Sequence, residues 1–195
     1  MTDDFQPVPL RGRTIDMVPL DESHAEAILK HTPRDAFTYF RNEDPEWTLD
    51  GIRKFIRDAI AMNDRVPFAT VLKSTGEAIG SSSYCDIRLP NKGIEIGFTW
   101  IAKEHRGTRV NPESKLLMMT HAFETLGCER VQLKCDVLNL HSAAAIQKLG
   151  AKKEGVLRKQ MVVRGGRMRD TALFSIIREE WPAVKAALEK RASAS

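Results

Sequence analysis

The fold is decided by residues 93–137, which read GIEIGFTWIAKEHRGTRVNPESKLLMMTHAFETLGCERVQLKCDV. The pattern predicts a strand over Gly93–Ile101, a polar loop over Glu104–Asn111, and a long helix with Pro112 in its first turn, where the missing N–H is not needed. A second strand follows over Arg130–Val137. The helix carries an apolar stripe: Leu116, Met119, Phe123 and Leu126. Because the loop enters a helix N-terminus, which offers free N–H groups and a positive dipole end, this passage predicts a ligand site that favours a phosphate.

Strand and helix patterns alternate on both sides of this passage. They predict one mixed α/β domain, 1–195, with its core at about residues 10–185, an extended arm at 1–9 and a frayed tail at 191–195. The further strand candidates are Arg13–Val18, Val66–Leu72, Ala78–Tyr84, Val156–Val163 and Thr171–Ile177, the last two around a Gly165-Gly166 turn. Helices are predicted after caps at Asp21 and Thr48, over Ser142–Leu149 and around Trp181. Three of these strands are predicted to form an antiparallel meander: Val66–Leu72, Ala78–Tyr84 and Gly93–Ile101.

Composition excludes several classes of protein. The chain has 195 residues, of which 42% are hydrophobic and 29% charged, and its net charge is +4. Lysine and arginine are spread along the whole length, so a nucleic-acid partner is not expected. There is neither a signal-peptide pattern nor an apolar run of about 20 residues, so no membrane partner is expected. The three cysteines are odd in number and widely spaced, which fits a reducing cytoplasm, and the five histidines lack metal-ligand spacing.

Five short motifs follow one another along the chain: Glu95–Trp100, Arg106-Gly107, Gly127–Val131, Asn139–Ser142 and Leu149–Ala151. This succession resembles the GNAT superfamily of N-acetyltransferases. Their order resembles in particular the branch that acetylates ribosomal-protein N-termini on alanine or serine. The resemblance implies a mostly antiparallel twisted sheet flanked by helices and splayed between the fourth and fifth strands. It also implies direct transfer from acetyl-CoA to a primary amine, of a protein N-terminus or a small molecule, and a possible homodimer.

The resemblance assigns the parts of acetyl-CoA to particular residues. The family's pyrophosphate loop, Arg/Gln-x-x-Gly-x-Gly/Ala, maps onto Arg106, Gly107, Thr108, Arg109, Val110 and Asn111, with both pattern glycines replaced, by Arg109 and Asn111. A solvated basic loop is the alternative. The backbone of Thr99, Trp100 and Ile101 is expected to hold the thioester arm. Asn139 is expected beside the pantetheine, although it could equally be a turn residue.

Two residues are candidates for proton transfer. Glu95 could deprotonate the acceptor amine, directly or through a water, or could simply face outward while Ile94 and Ile96 alternate into the core. Ser142 could protonate the leaving thiolate, because Ile146 stands where many family members have a tyrosine; its alternative role is a helix N-terminal cap. The replaced glycines and the missing tyrosine favour a rival interpretation, a non-catalytic CoA-binding or interaction domain.

The remaining polar and aromatic residues are predicted to pack in the interior, to line the cleft or to lie on the surface. Tyr39, Phe40 and Trp47 are expected to pack or to line the acceptor cleft. Arg164, Arg167 and Arg169, around the Gly165-Gly166 turn, are expected to form a solvated face.

Overall fold

A computed structural model describes residues 5–40 and 44–193 of the chain. Within them, eight strands form one sheet in the order β1-β2-β3-β4-β5-β6-β8-β7. The strands are β1 Leu10–Arg11, β2 Ile15–Pro19, β3 Arg65–Leu72, β4 Ala78–Arg88, β5 Gly93–Ile101, β6 Arg130–Asp136, β7 Lys152–Val162 and β8 Met168–Ile177. The α-helices are α1 Ala25–His31, α2 Leu49–Ile60, α3 Val110–Thr120, α4 Leu140–Lys148 and α5 Trp181–Ser193.

The sheet is antiparallel except where β5 meets β6. These two strands run parallel and pair only at Gly93 with Arg130, Ile94 with Val131, and Glu95 with Gln132. Parallel neighbours require a crossover, and α3 supplies it. Beyond Glu95 the two strands separate. They are the fourth and fifth strands of the prediction, which did not include β1, so the expected mostly antiparallel sheet with a splay between them is confirmed. The meander of β3, β4 and β5 is confirmed as well.

A β-bulge at Phe98 shifts the alternation of side chains along β5 by one residue. Phe98 has a left-handed φ of 49°, and the register of β4 and β5 shifts between Ser81 and Ser83. Before the bulge Ile94 and Ile96 are in the main apolar core, whereas after it the core residue is Ile101. The alternation therefore changes from even to odd, and the side chain of Thr99 faces α3.

Apolar side chains cover both faces of the sheet. The main core lies on the face covered by α3 and α5, where Phe123 stacks on Trp181 with ring centroids 5.1 Å apart. A second cluster fills the face under α1 and α2, with Ile52 and Ile56 fully buried. Each large apolar side chain buried in this way contributes about 1.5–3 kcal/mol. These two layers hold β5 rigidly from both sides.

Most predicted helix boundaries are close to the observed ones. Asp21 caps a short 3-10 turn that leads into α1, and Thr48 caps α2 by accepting from the Gly51 N–H at 3.1 Å. α3 begins at Val110, two residues before Pro112, and continues after Thr120 as a π-helical turn. The expectation of a frayed tail from residue 191 is wrong for 191–193, since α5 extends through Ser193; residues 194–195 lie outside the described residues.

The N-terminal arm is anchored at its first described residue. Phe5 is buried in the main core, and its ring packs edge-on against Tyr84 at 5.5 Å. Residues 5–9 form no regular helix or strand, and residues 1–4 are not among the described residues. The expected extended arm therefore contributes a core side chain.

Candidate active site

A cavity of about 510 Å³ opens where β5 and β6 separate. Its walls come from the diverging strands, the first turns of α3 and α4, and the turn at residues 35–40. The sequence-predicted site residues in its lining are Glu95, Thr99, Trp100, Ile101, Arg106, Gly107, Asn111, Asn139 and Ser142. Thr108, Arg109 and Val110 are not part of that lining. The structure thus brings together residues that are up to 47 positions apart in the sequence.

The loop before α3 needs a left-handed backbone at only one position. Gly107 has a φ of 77°, which glycine adopts without strain. Arg109 has an ordinary right-handed backbone, with φ −65° and ψ −17°, although it stands at a glycine position of the family pattern. Thr108 caps the helix entrance, because its hydroxyl accepts from the Val110 N–H at 3.3 Å and donates to the His105 carbonyl at 2.8 Å. The side chain of Val110 is buried in the main core.

Arg106 joins the end of β5 to the turn at residues 35–40. Its Nε donates to the carbonyl oxygen of Ile101 at 3.2 Å, and its Nη2 donates to Oδ1 of Asp35 at 3.2 Å. The hydrogen bond from Arg106 lowers the pKa of Asp35. The guanidinium is therefore held at the rim of the cavity in a fixed orientation.

Asn111 and Lys115 face the cavity from successive turns of α3. Oδ1 of Asn111 is buried and has no hydrogen-bond partner among the described residues. The Lys115 Nζ donates to Oγ of Ser82 at 2.9 Å and to Oγ1 of Thr99 at 2.6 Å. Burial lowers the pKa of Lys115 to about 7. Sequence reasoning missed Lys115; its position four residues after Asn111, on the same face of the helix, was the available signal.

Glu95 lies on the cavity face of β5. Ile94 and Ile96 are buried in the main core, so the expected alternation is correct, but the opposite face is a cavity wall and not open solvent. Oε2 of Glu95 accepts from Nε2 of Gln132 at 3.1 Å and lies 2.7 Å from the Lys134 Nζ. A Cβ at Gly97 would come within 3.3 Å of Oε1, so glycine there leaves space beside the carboxylate.

The N-terminus of α4 carries Asn139 and Ser142. Oδ1 of Asn139 accepts from the Ser142 N–H at 2.9 Å, so Asn139 is the helix cap and the capping alternative for Ser142 is wrong. The Ser142 side chain lines the cavity beside Ile146. Burial raises the pKa of the Cys135 thiol, and a side-chain hydrogen bond with Ser142 partly offsets this rise.

Aromatic and acidic side chains complete the cavity wall. Tyr39, Phe40 and Phe98 supply aromatic surface, and Asp64 and Asp86, which the sequence did not connect to the site, supply carboxylates. The ring of Phe40 meets Phe98 edge-on at 5.5 Å, and the Arg65 guanidinium lies 4.0 Å over the Phe98 ring. The expectation that Tyr39 and Phe40 line a cleft therefore agrees with the geometry. Trp47 instead packs against Phe37 in the second core cluster.

The arginines around the Gly165-Gly166 turn do not form a purely solvated face. Arg169 lines the cavity, and burial lowers its pKa while Asp136 opposes this effect. Arg167 donates to Oδ2 of Asp136, and Arg164 pairs with Asp44 at 2.6 Å. His141, which sequence reasoning placed on the surface or in the core, also lines the cavity.

In the ranges 5–40 and 44–193, no three His, Cys, Asp or Glu side chains are grouped so that they could hold a metal ion. No helix in the same ranges is long and apolar enough to cross a membrane.

The family model described as the acetyltransferase (GNAT) domain matches residues 15–152, which include the splayed strands and the cavity. The chain belongs to the GNAT acetyltransferase family. It is therefore an acetyl-CoA-dependent N-acetyltransferase, and the eight-stranded sheet with its parallel β5–β6 pair is the GNAT fold. The family implies acetyl-CoA as the acetyl donor and an amine as the acceptor.

Individual GNAT relatives cover most of the chain. "Probable N-acetyltransferase YjcK" of Bacillus subtilis (strain 168) is 29% identical over 164 residues, which are 80% of this chain and 90% of that protein. "Putative ribosomal N-acetyltransferase YdaF" of the same organism is 32% identical over 110 residues, 56% of this chain and 59% of that protein. The crystal structure of a GCN5-related N-acetyltransferase from Brucella melitensis superposes with a TM-score of 0.89 at 29% identity, covering 95% of this chain and 86% of that one.

Proposed function

We propose that this enzyme transfers the acetyl group of acetyl-CoA to a primary amine of a protein N-terminus or a small molecule, by direct attack within a ternary complex. The observation that carries the proposal is the cavity at the β5–β6 splay, because its lining includes a carboxylate, a hydroxyl and the entrance of α3 together. A carboxylate can accept the proton of the amine, a hydroxyl can donate to the thiolate, and a helix N-terminus can bind phosphate.

Acetyl-CoA would lie across the splay with its pyrophosphate at the α3 entrance. Gly107 and Arg109 precede the first turn, and the rigid Arg106 guanidinium adds a cation nearby. The pantetheine arm would follow Thr99–Ile101, where β5 has no pairing with β6. The buried, unpartnered Oδ1 of Asn111 supports a ligand that brings a hydrogen-bond donor to this wall.

Glu95 and Ser142 would divide the proton transfers between them. Glu95 accepts a proton from the acceptor amine, directly or through a water, with its Oε1 outside the contacts that Oε2 makes with Gln132 and Lys134. The neutral amine attacks the thioester carbonyl, the nitrogen releases its second proton to water, and the C–S bond breaks. Ser142 donates a proton to the departing thiolate and takes one back from water. Because Asn139 caps α4, the Ser142 hydroxyl is not needed for the cap and can exchange its contact with Cys135 for the thiolate.

The rival interpretation, a non-catalytic domain on the same fold, loses one of its two supporting features. Arg109 does not need a glycine's conformational freedom, because its φ is −65°. The absence of a tyrosine at Ile146 remains, but Tyr39 lies in the same cavity. The ordinary backbone of Arg109 and the presence of Tyr39 in the cavity both favour a working enzyme.

The acceptor is proposed to be a protein N-terminus before a small amine. A ribosomal substrate is named for YdaF, so the proposal rests on that likeness and on the Glu95 carboxylate that the cavity presents to an amine. The test is thiol release from acetyl-CoA with peptides that begin with alanine or serine, with spermidine, and with free amino acids. We expect release with the peptides; release with spermidine alone would assign a small-molecule acceptor, and no release with any amine would overturn the proposed function.

We also propose that the whole chain acts as a single catalytic domain and forms a homodimer. A cytoplasmic location is proposed on the cysteine pattern. Size-exclusion chromatography with light scattering would test the dimer, and limited proteolysis would test the single domain, since a second domain would be released as a stable fragment.

A further inference from the structure

Lys115 presents a buried cation without a carboxylate partner. Its side chain is in the interior, with the residue only 4% exposed, and no ion pair to it is found among the described residues. An ammonium group has three N–H donors. Two of them are used, by Ser82 at 2.9 Å and by Thr99 at 2.6 Å. One donor is left over on a residue that lines the cavity.

The sheet around Lys115 is shaped to receive this ammonium. The bulge at Phe98 turns the Thr99 hydroxyl toward α3, where Ser82 meets it at 2.7 Å. The Ser82 hydroxyl can donate a hydrogen bond to the Gly97 carbonyl oxygen at 3.4 Å, so the oxygens of both hydroxyls can accept from Lys115. The third N–H is therefore not needed by either hydroxyl.

Packing alone does not account for a lysine at this position. Burying an ammonium costs free energy unless an opposite charge or several acceptors compensate. The nearest titratable neighbour is the Cys85 thiol, whose pKa is raised by burial to about 12, so it remains neutral. An apolar side chain of the same length would fill the space at lower cost. The cation is thus complementary to a negative charge that arises in the cavity.

We propose that the Lys115 ammonium donates its third N–H to the carbonyl oxygen of the acetyl group and stabilises the oxyanion formed during transfer. This inference rests on the proposed function. The amine lone pair forms the C–N bond while the carbonyl π pair moves onto oxygen; the C=O bond then re-forms as the C–S bond breaks. Glu95 takes the first proton of the acceptor nitrogen before the attack, water takes the second, and the thiolate receives one from Ser142, which water re-protonates. Lys115 neither gains nor loses a proton, and acts only through charge and one hydrogen bond.

The test compares Lys115→Met and Lys115→Gln with Lys54→Met. The first variant keeps the length and removes the charge, and the second keeps a donor for Ser82 and Thr99. Lys54 is a surface residue of α2, paired with Asp58 far from the cavity, and serves as the matched control. Three quantities are measured at pH 6, below the Lys115 pKa of about 7, so that the side chain is mostly the ammonium: the Kd of acetyl-CoA by calorimetry, the single-turnover rate of transfer to the amine that wild type acetylates, and the urea midpoint of unfolding.

We expect both Lys115 variants to lose about 10²–10³-fold in transfer rate, the usual effect of one missing oxyanion donor. The Kd of acetyl-CoA should stay within about threefold, because the contact forms only in the transition state. The urea midpoint should not fall, which separates this role from a structural one.

Three results would overturn the inference while leaving the proposed function intact: an unchanged transfer rate, a rate loss matched by an equal rise in Kd, or a lowered urea midpoint in both variants. The second result would make Lys115 a ground-state ligand of the pantetheine arm. A wild-type protein that binds no acetyl-CoA would instead overturn the proposed function, and this inference with it.

Discussion

The Lys134 Nζ lies 2.7 Å from Oε2 of Glu95. This ion pair joins the last residue of β5 that pairs with β6 to a residue of β6 just beyond the pairing. The pair fixes the carboxylate at the narrow end of the splay, where Gln132 adds a second contact at 3.1 Å. A carboxylate held in this way is oriented before the acceptor arrives, which is a requirement for an efficient general base.

Glu95→Gln should therefore abolish most of the turnover. The amide keeps the shape and the contact with Gln132 but cannot accept a proton, so we expect kcat to fall by about 10²-fold or more. The Kd of acetyl-CoA should be unchanged. Glu22→Gln, which breaks the surface pair with Arg57, is the control and should behave as wild type. Equal turnover of Glu95→Gln and wild type would show that the amine loses its proton to another group.

Ser142→Ala and Asn139→Ala should have separable effects. Asn139 caps α4, so its replacement should lower the free energy of unfolding by about 1 kcal/mol. Ser142→Ala should leave that free energy nearly unchanged and lower kcat by about 10²-fold. Urea unfolding and thiol-release kinetics on both variants give the two quantities. If Ser142→Ala keeps full turnover, the thiolate takes its proton from water.

Arg106→Glu should weaken acetyl-CoA binding at least about tenfold, since one charge-assisted hydrogen bond contributes about 1.5–3 kcal/mol. Calorimetric titration measures this loss directly. Asp35→Asn is the informative companion, because it removes the partner of Arg106 but leaves the cation in place. A smaller loss in Asp35→Asn supports a direct contact with phosphate. Equal losses would mean that Arg106 acts by holding the turn at residues 35–40.

Lys115 should make stability depend on pH. Its pKa falls from about 10.4 in the unfolded chain to about 7 in the fold, so between these values the unfolded chain binds more protons. Stability from this group therefore rises with pH from about 7 to 10 and is lowest below 7. The Cys85 thiol that faces it stays neutral over this range. Lys115→Met should gain stability at pH 6 and gain less at pH 9; urea midpoints that shift equally at both pH values would contradict this assignment.

Glu154 stabilises the fold in its charged form, and its pH dependence lies in the acid range. Hydrogen bonds from Arg130 lower its pKa to about 2, helped by Ser175. A carboxylate with a depressed pKa stabilises the fold above its unfolded value and loses that contribution as pH falls from about 4.3 toward 2. Glu154→Gln should therefore lower stability at pH 7 but not at pH 2. The effect should be modest, because Glu154 is partly exposed and solvent screens the pair.

The sequence predicted the sheet and the place of the site well, since both depend on local patterns. Alternating apolar residues located β5 and β6, and the loop before Pro112 located the α3 entrance. The bulge at Phe98 was not predictable, because a left-handed phenylalanine has no sequence signature. Without the bulge, Thr99 and Lys115 could not be placed together.

Residues brought to the cavity from distant segments were also beyond sequence reasoning. Arg169 and Asp35 reach it only because β8 lies beside β6 and because the turn at residues 35–40 meets the end of β5. The sequence left Ser142 open between a proton donor and a helix cap, and only the hydrogen bond from the Ser142 N–H to Asn139 shows that Asn139 is the cap. Contacts of this kind depend on tertiary packing, not on spacing.

The bulge also identifies the one residue that β5 can lose without exchanging its faces. Deleting Phe98 would restore regular alternation, because the core face would pass directly from Ile96 to Thr99 and Ile101. Trp100 would stay with Phe37 beneath α2, and Thr99 would stay with Lys115. One codon removed at this position should thus spare the sheet, and its cost should fall on the aromatic wall of the acetyl-transfer cavity, where the Phe98 ring meets Phe40.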